Sequence, residues 1–582
     1  MSSRSRAIAL LSGLRQKFVR RTDSAPVSLA VQGGAHVQAA QARSRIVIAL
    51  FGFCALFALI GVRLVQLGFE TSEGLAAGAR PSIGTLASRP DVTDRQGRIL
   101  ATDIRTFSLF AEPRRIVDAD EAIEKLATVL PNIDVPTFHK RLTKDSGFEW
   151  LARELTPREQ RRILDLGIPG IGFRPETRRF YPDGAVASHI VGHVNIDNKG
   201  IAGMEKHLDD EGLKDLQDSG FAVQRHLEPV ALSIDLGAQF AVRDELIKAM
   251  DKYRAIAAGA VVLDARTGEV AAMVSLPDYD PNDPRDALKK DNLNRLSAGV
   301  FEMGSTFKTF TTAMALDSGM VNLASSFDAR KPLRVGGFTI NDFHAKKKVL
   351  TVPEIFIYSS NIGTAKMAQT VGVNGHRAFL KRLGLLDRMD FELPETARPT
   401  EPATWKELNS ITISYGHGMA TTPLQTAVAG AALFNGGRLL PPTLKQRTQA
   451  EADLVAQQVL SPDTSAKMRQ LMRMNVEKGS GRRAEVNGYF VGGKTGTAEK
   501  VKNGRYSKNH RFNAFLAAFP IDDPRYVVLV FIDEPKPEEG QKSATAGLNA
   551  APTTGAIIRR VGPILGVQPR FGADGEPMLI KF

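Results

Sequence analysis

Three short strings limit what this chain can fold into: Ser305-Thr306-Phe307-Lys308, Ser359-Ser360-Asn361 and Lys494-Thr495-Gly496. Each is common by itself. In this order they describe a serine acyl-transfer site that needs no histidine. Ser305 is the candidate nucleophile and Lys308 its base. Ser359 and Asn361 form a second wall, and Lys494 supplies a fixed positive charge on a strand. Because 189 residues separate Ser305 from Lys494, only a fold that returns the chain to one cleft can use them together.

The local patterns suit these roles. A helix pattern starts directly after Gly304, with Phe307, Phe310 and Met314 as its apolar stripe and Gly319 as its C-cap. Ser305 and Lys308 are then i and i+3 and share a face. Ser305 sits at the positive end of the helix dipole, where unpaired N–H groups can meet an oxyanion. A lysine acts as a base only when neutral. Burial and a second cation such as Lys494 both lower its pKa toward the useful range. Ser359 is placed to pass the proton to the leaving group. The Asn361 amide can accept from Lys308 and donate to a substrate carbonyl. Residues 492–497 (GGKTGT) read as an edge strand whose glycines admit a ligand backbone. Thr495 and Thr497 add hydroxyl donors, and the strand suits a carboxylate and an extended peptide.

The flanking chain supplies the setting. Residues 46–62 form an uncharged run of 17 residues that holds the single cysteine, Cys54. As a helix it rises about 25 Å, near the lower limit for a membrane span, and Arg63 can snorkel to extend it. Residues 1–45 carry eight Lys/Arg against Asp23. The positive-inside rule puts this tail in the cytoplasm and the rest outside. The tail holds seven of the thirteen net positive charges, and no basic-aromatic nucleic-acid module appears. One cysteine excludes an internal disulfide.

Beyond a small-residue linker at 70–88, residues 89–227 read as short strands and helices. A hairpin turn is expected at 94–97 and helices at 122–129 and 157–166. From residue 232 the texture changes. Strands at 259–264 and 270–274 flank a turn at Thr267-Gly268, and two more stand at 513–519 and 526–532. A long helical segment over 310–440 and a final helix at 552–565 complete the pattern. Hairpins at both ends of a domain with helices between predict an α/β sandwich on an antiparallel sheet. His189 and His193 have metal-ligand spacing. Ile190 stands where a zincin carries Glu, no third ligand is evident, and both read as structural.

With these motifs placed, residues 46–565 resemble a class B penicillin-binding protein of the division-specific type. Arg178-Arg179-Phe180-Tyr181-Pro182, Ala187-Ser188-His189 and Gly192-His193 resemble the family's N-terminal module. Leu263-Asp264, Thr267-Gly268 and Tyr279-Asp280-Pro281-Asn282 resemble the opening of its transpeptidase domain. Ser414-Tyr415-Gly416-His417-Gly418 and Thr422-Pro423-Leu424-Gln425 resemble its later helices. The resemblance implies a cytoplasmic tail over 1–45, a transmembrane helix over 46–68, a non-catalytic α+β pedestal over 69–229, a transpeptidase domain over 230–566 and a short tail over 567–582. It implies an inner-membrane protein with a periplasmic catalytic domain that cross-links septal peptidoglycan stem peptides and is acylated by β-lactams at Ser305.

By the same resemblance, the N–H groups of Ser305 and Thr497 form the oxyanion hole. Lys494, Thr495 and Thr497 meet the substrate carboxylate, and Thr495, Gly496 and Thr497 form the substrate-binding strand. No metal or organic cofactor and no nucleic acid is implied. A SEDS-family glycan polymerase and other divisome membrane proteins are the implied partners. Met303 replaces the family's frequent proline and leaves the helix start freer, while Arg89-Pro90 stands where Arg-Gly is common.

An elongation-specific relative usually reads Ser-x-Asp in the second motif, so Asn361 favours division. A β-lactamase needs a glutamate where Trp405 stands. A D,D-carboxypeptidase shares the chemistry with water as acceptor. A non-catalytic β-lactam sensor or divisome scaffold is the reading from another class.

Overall fold

The computed structural model describes residues 53–58, 60–61, 89–213, 227–502 and 504–571. The chain forms two units, Met1–Ile83 and Gly84–Phe582. In the first, residues 53–58 and 60–61 are helical, and all of these but Gly61 are exposed. Most of the expected span, the basic tail, the linker and most of the C-terminal tail lie outside the described residues. Among the described residues no helix is long and apolar enough to cross a membrane.

Five strands organise the catalytic half of the second unit: β1 (Ala257–Asp264), β2 (Val270–Leu276), β3 (Gly492–Lys502), β4 (Arg505–Phe519) and β5 (Tyr526–Asp533). Their spatial order is β3-β4-β5-β1-β2, and every neighbouring pair is antiparallel. Both faces of the sheet's centre are buried, so β1, β2 and β5 are buried at every position and their alternation sorts residues between two cores. In β5, Val527, Leu529 and Phe531 enter one core while Val528, Val530 and Ile532 enter the other. The second core is closed by α1 (Leu236–Tyr253) and α8 (Ala550–Ile564). The first is closed by an inserted layer: α2 (Phe307–Asp317), α3 (Val352–Tyr358), α4 (Asn361–Val371), α5 (Glu407–Ser414), α6 (Pro423–Phe434) and α7 (Pro462–Lys478). The expected antiparallel sandwich is the one observed.

The sequence reading and the structure differ in length and continuity. The helical segment is interrupted by two small antiparallel ladders, Ser326–Asp328 with Val349–Thr351 and Leu333–Val335 with Phe338–Ile340. Gly336-Gly337 is the hairpin turn that breaks it. Strand β4 begins eight residues before the expected strand at 513, because its polar first half pairs with β3 beyond the core. In the N-terminal half the strand Ile99–Ala111 has 13 residues rather than a short run. It pairs with Ile171–Phe180 and Glu149–Leu155, and its middle residues Ile104 and Arg105 are exposed.

That half is tied together by buried charge. Glu205 accepts from the Arg89 guanidinium at 2.7 Å and the Arg179 guanidinium at 2.6 Å, with all three side chains fully buried. Arg179 also donates to the Pro90 carbonyl, and Arg89 to those of Asn198 and Glu205. The Arg-Pro step thus begins a network that reaches across 116 residues of sequence. His189 bonds the Asn292 carbonyl at 2.8 Å and His193 meets the Tyr279 hydroxyl at 3.3 Å. Both imidazoles stand edge-on to the Tyr279 ring, and burial pushes both below the usual histidine range. They act as packing groups between the two halves of the unit.

Removing Glu205 takes one buried carboxylate from each of two buried guanidinium groups, leaving Arg89 with Asp209 and Arg179 with Asp103. Glu205→Ala is expected to destabilise the protein by about 3–5 kcal/mol, read as a lower urea midpoint with the slope unchanged.

Candidate active site

The candidate nucleophile's position follows from two glycines. Gly304 has φ +52°, a left-handed conformation that costs glycine least. It turns the chain into the 3-10 turn Gly304–Thr306, and α2 begins only at Phe307. Ser305 therefore precedes the α-helix rather than lying within it. The i, i+3 relation to Lys308 is kept, because a 3-10 turn nearly eclipses those positions. Across the cleft, a Cβ on Gly496 would lie 2.3 Å from the Met303 carbonyl oxygen, and one on Gly304 would lie 2.6 Å from that of Thr497. The nucleophile turn and the edge strand are in direct backbone contact. The glycines at 492 and 493 likewise face Ile521 and Phe515. Their purpose is internal packing, not the ligand approach expected from sequence. Met303 is 1% exposed and its carbonyl accepts from the Thr306 hydroxyl at 2.7 Å, so the helix start is pinned rather than freer.

The second wall is a helix break. Thr351 caps α3 in a capping box with Glu354, and α3 ends at Ser359, whose φ of +55° and ψ of +46° reverse the chain. Ser360 then caps α4, accepting from the Gly363 N–H and donating to Asp342 at 2.8 Å. Asp342 also accepts from the Ile362 N–H at 2.9 Å. Ser360 fills the ordinary capping role while Ser359 is turned toward the two lysines. Asn361 opens α4, and its amide donates to the Asn341 carbonyl at 2.9 Å.

Lys308 and Lys494 are 1% and 0% exposed. Lys308 Nζ donates to the Ser359 carbonyl at 2.5 Å and to Ser359 Oγ at 3.1 Å, which replaces the expected bond to Asn361. Lys494 Nζ donates to the same Oγ at 3.0 Å and to the Thr495 carbonyl at 3.1 Å. Burial first, and the Lys494 charge second, push Lys308 well below the usual lysine range. Burial alone brings Lys494 down to about 7. It is therefore a titrating group near neutrality and not the fixed charge expected.

Ser305, Lys308, Ser359, Asn361, Thr495 and Thr497 line one cavity of about 740 Å³. Lys494 and Gly496 stand behind its wall. Sequence reasoning missed several contributors. Ser480 shares a 2.6 Å hydrogen bond with Thr495, and Asn475 ties α7 to the Gly493 carbonyl at 2.7 Å. The Gly479-Ser480-Gly481 break after α7 is the one signal that could have drawn attention to them. His417 also lines the cavity, and burial first, with nearby Lys308 second, pushes its pKa down to about 4.

A serine at a helix start, two buried lysines on one hydroxyl and an edge strand beside them define a serine acyl-transfer site of the Ser-x-x-Lys class. Residues 258–558 match the penicillin-binding protein transpeptidase domain, and residues 85–221 match the penicillin-binding protein dimerisation domain. The chain is 40% identical over 533 residues to the probable peptidoglycan D,D-transpeptidase FtsI of Caulobacter vibrioides, covering 90% of this chain and 88% of that protein. It is 34% identical to the probable peptidoglycan D,D-transpeptidase PenA of Neisseria gonorrhoeae, with 83% and 85% covered. It is 30% identical to the peptidoglycan D,D-transpeptidase FtsI of Escherichia coli, with 84% and 86% covered. The chain belongs to the class B penicillin-binding proteins and carries both domains of that family.

Two outcomes follow. Gly496→Ala forces the strand off the Met303 carbonyl and is expected to slow penicillin acylation by roughly 100-fold, measured as the second-order rate constant. The Lys494 pKa is depressed by folding from about 10.4 to about 7. The unfolded chain binds more protons between those values, so stability rises with pH across that window. Lys494→Met is therefore expected to be more stable than the parent at pH 6, on the order of 1–3 kcal/mol. That advantage should shrink between pH 7 and 10 in denaturant titrations.

Proposed function

We propose that this protein is a peptidoglycan D,D-transpeptidase of the FtsI type, acting through a Ser305 acyl-enzyme. The observation that carries the reading is the convergence of Ser305, Lys308, Ser359 and Asn361 on one cavity, with Lys494 directly behind it. Ser305 Oγ attacks the carbonyl carbon of a D-Ala–D-Ala peptide bond while its proton passes to neutral Lys308 Nζ. The N–H groups of Ser305 and Thr497 take the oxyanion. Ser359 Oγ, in reach of both lysines, relays the proton to the departing nitrogen, and D-alanine leaves. An amine of a second stem peptide then attacks the ester carbon. A C–N bond forms, the C–Oγ bond breaks and the oxygen regains a proton. Thr495 and Thr497, with Gly496 fixing their strand, hold the substrate carboxylate. β-Lactams enter by the same attack.

The relatives named FtsI and the Ser-x-Asn form of the second motif both support septal rather than side-wall synthesis. The reading includes a cytoplasmic tail over 1–45, one membrane helix over 46–68, a pedestal over 69–229, a transpeptidase domain over 230–566 and a tail over 567–582. The N-terminus is cytoplasmic and the catalytic domain periplasmic, anchored in the inner membrane. A SEDS-family glycan polymerase and other divisome membrane proteins are the proposed partners.

Intact mass and peptide mapping of the full-length protein after penicillin treatment test the reading. One adduct on Ser305, absent in Ser305→Ala, is expected. An adduct on another residue, or none, overturns it.

A further inference from the structure

The second half of the proposed reaction brings an amine into a cleft that is unfavourable to it. Arg482, Arg483 and Arg511 line the cavity, and an amine at neutral pH arrives as an ammonium ion. Glu499 is the single carboxylate among the described lining residues. It follows Thr495 and Thr497 at steps of two along β3, so it shares their face and lies about 7 Å beyond Thr497.

Arg511 is its register partner on β4 and lines the same cavity. Opposite charges facing each other across two strands ordinarily pair. Here neither side chain makes an ion pair or hydrogen bond with any described residue, and both are half-buried. The ladder shifts register immediately after Glu499, an irregularity that re-aims side chains beside active sites. The result is a carboxylate and a guanidinium, side by side and both open to a ligand.

We propose that Glu499 and Arg511 form the acceptor subsite, taking the ammonium and the carboxylate of an acceptor that carries both on one carbon. This rests on the acyl-transfer reading above and adds the identity of the acceptor's chemistry. Glu499 positions the amine and is not its base. When the amine attacks the Ser305 ester, the new C–N bond replaces the C–Oγ bond. One of the two protons lost by the ammonium returns to Ser305 Oγ and the other leaves to solvent.

The test uses full-length protein in detergent and an acyl-D-alanyl thioester as donor. D-Alanine and D-alaninamide serve as alternative acceptors. The readout is the ratio of aminolysis to hydrolysis of the acyl-enzyme, which cancels changes in acylation and in the amount of folded protein. Glu499→Gln is expected to lower the ratio for both acceptors by roughly tenfold or more. Arg511→Gln is expected to lower it for D-alanine and to leave D-alaninamide at the parent value. Unchanged ratios in Glu499→Gln overturn the proposal, as does an equal loss for both acceptors in Arg511→Gln. A parent enzyme that releases no thiol from the donor overturns the underlying acyl-transfer reading as well.

Discussion

Two lysines withdrawn from water onto one serine hydroxyl are the constraint around which the rest of this molecule is arranged. An ammonium group in a buried position is strongly disfavoured, and two within reach of the same oxygen are worse. The chain tolerates this only because the surrounding structure leaves no alternative. Lys308 lies on a helix buried along nearly its whole length, and Lys494 lies on a strand whose glycines lock it against that helix start. Ser359 reaches both because its backbone is held in the left-handed region between two capped helices. In the proposed mechanism the consequence is chemical: an amine that would be protonated in water is the candidate base.

Convergence depends on the antiparallel sheet and its inserted helical layer. Strands from residues 257–276 and 492–533 build one sheet, and the helices that begin after Ser305 and flank Ser359 are threaded between them. Leaving β3 at the sheet's edge opens it to an extended substrate. The N-terminal half, knitted by the Arg89–Glu205–Arg179 cluster and the Tyr279 aromatic contacts, meets the catalytic half away from these residues.

Much of this was legible in the sequence, for identifiable reasons. Residues 259–264 and 526–532 are continuous apolar runs because both faces of their sheet are covered, and such runs read clearly. Gly304 marked the turn ahead of the nucleophile. The long strand Ile99–Ala111 was less visible, since Asp103 and Arg105 interrupt its pattern where it serves a half-open sheet. Asp342 and Ser480 carried no signal of their own. They support Ser360 and Thr495 across 18 and 15 residues, in loops whose path only the fold defines. The glycines of residues 492–496 were recognised as demanding close approach, but the approaching groups belong to the protein itself. The charge state of Lys494 was misjudged because depth of burial is a property of the assembled cleft.

The protonation state of Lys308 is the quantity on which the proposed catalysis turns. It is measured most directly by nitrogen-detected NMR of the lysine side chains across pH 5–11, with Lys308→Arg and Lys494→Arg providing assignment. A Lys308 amine that loses its proton well below the ordinary lysine range, with Lys494 titrating near 7, is the expected result. Both lysines titrating together near the ordinary value of about 10.4 would contradict the role given to the buried pair.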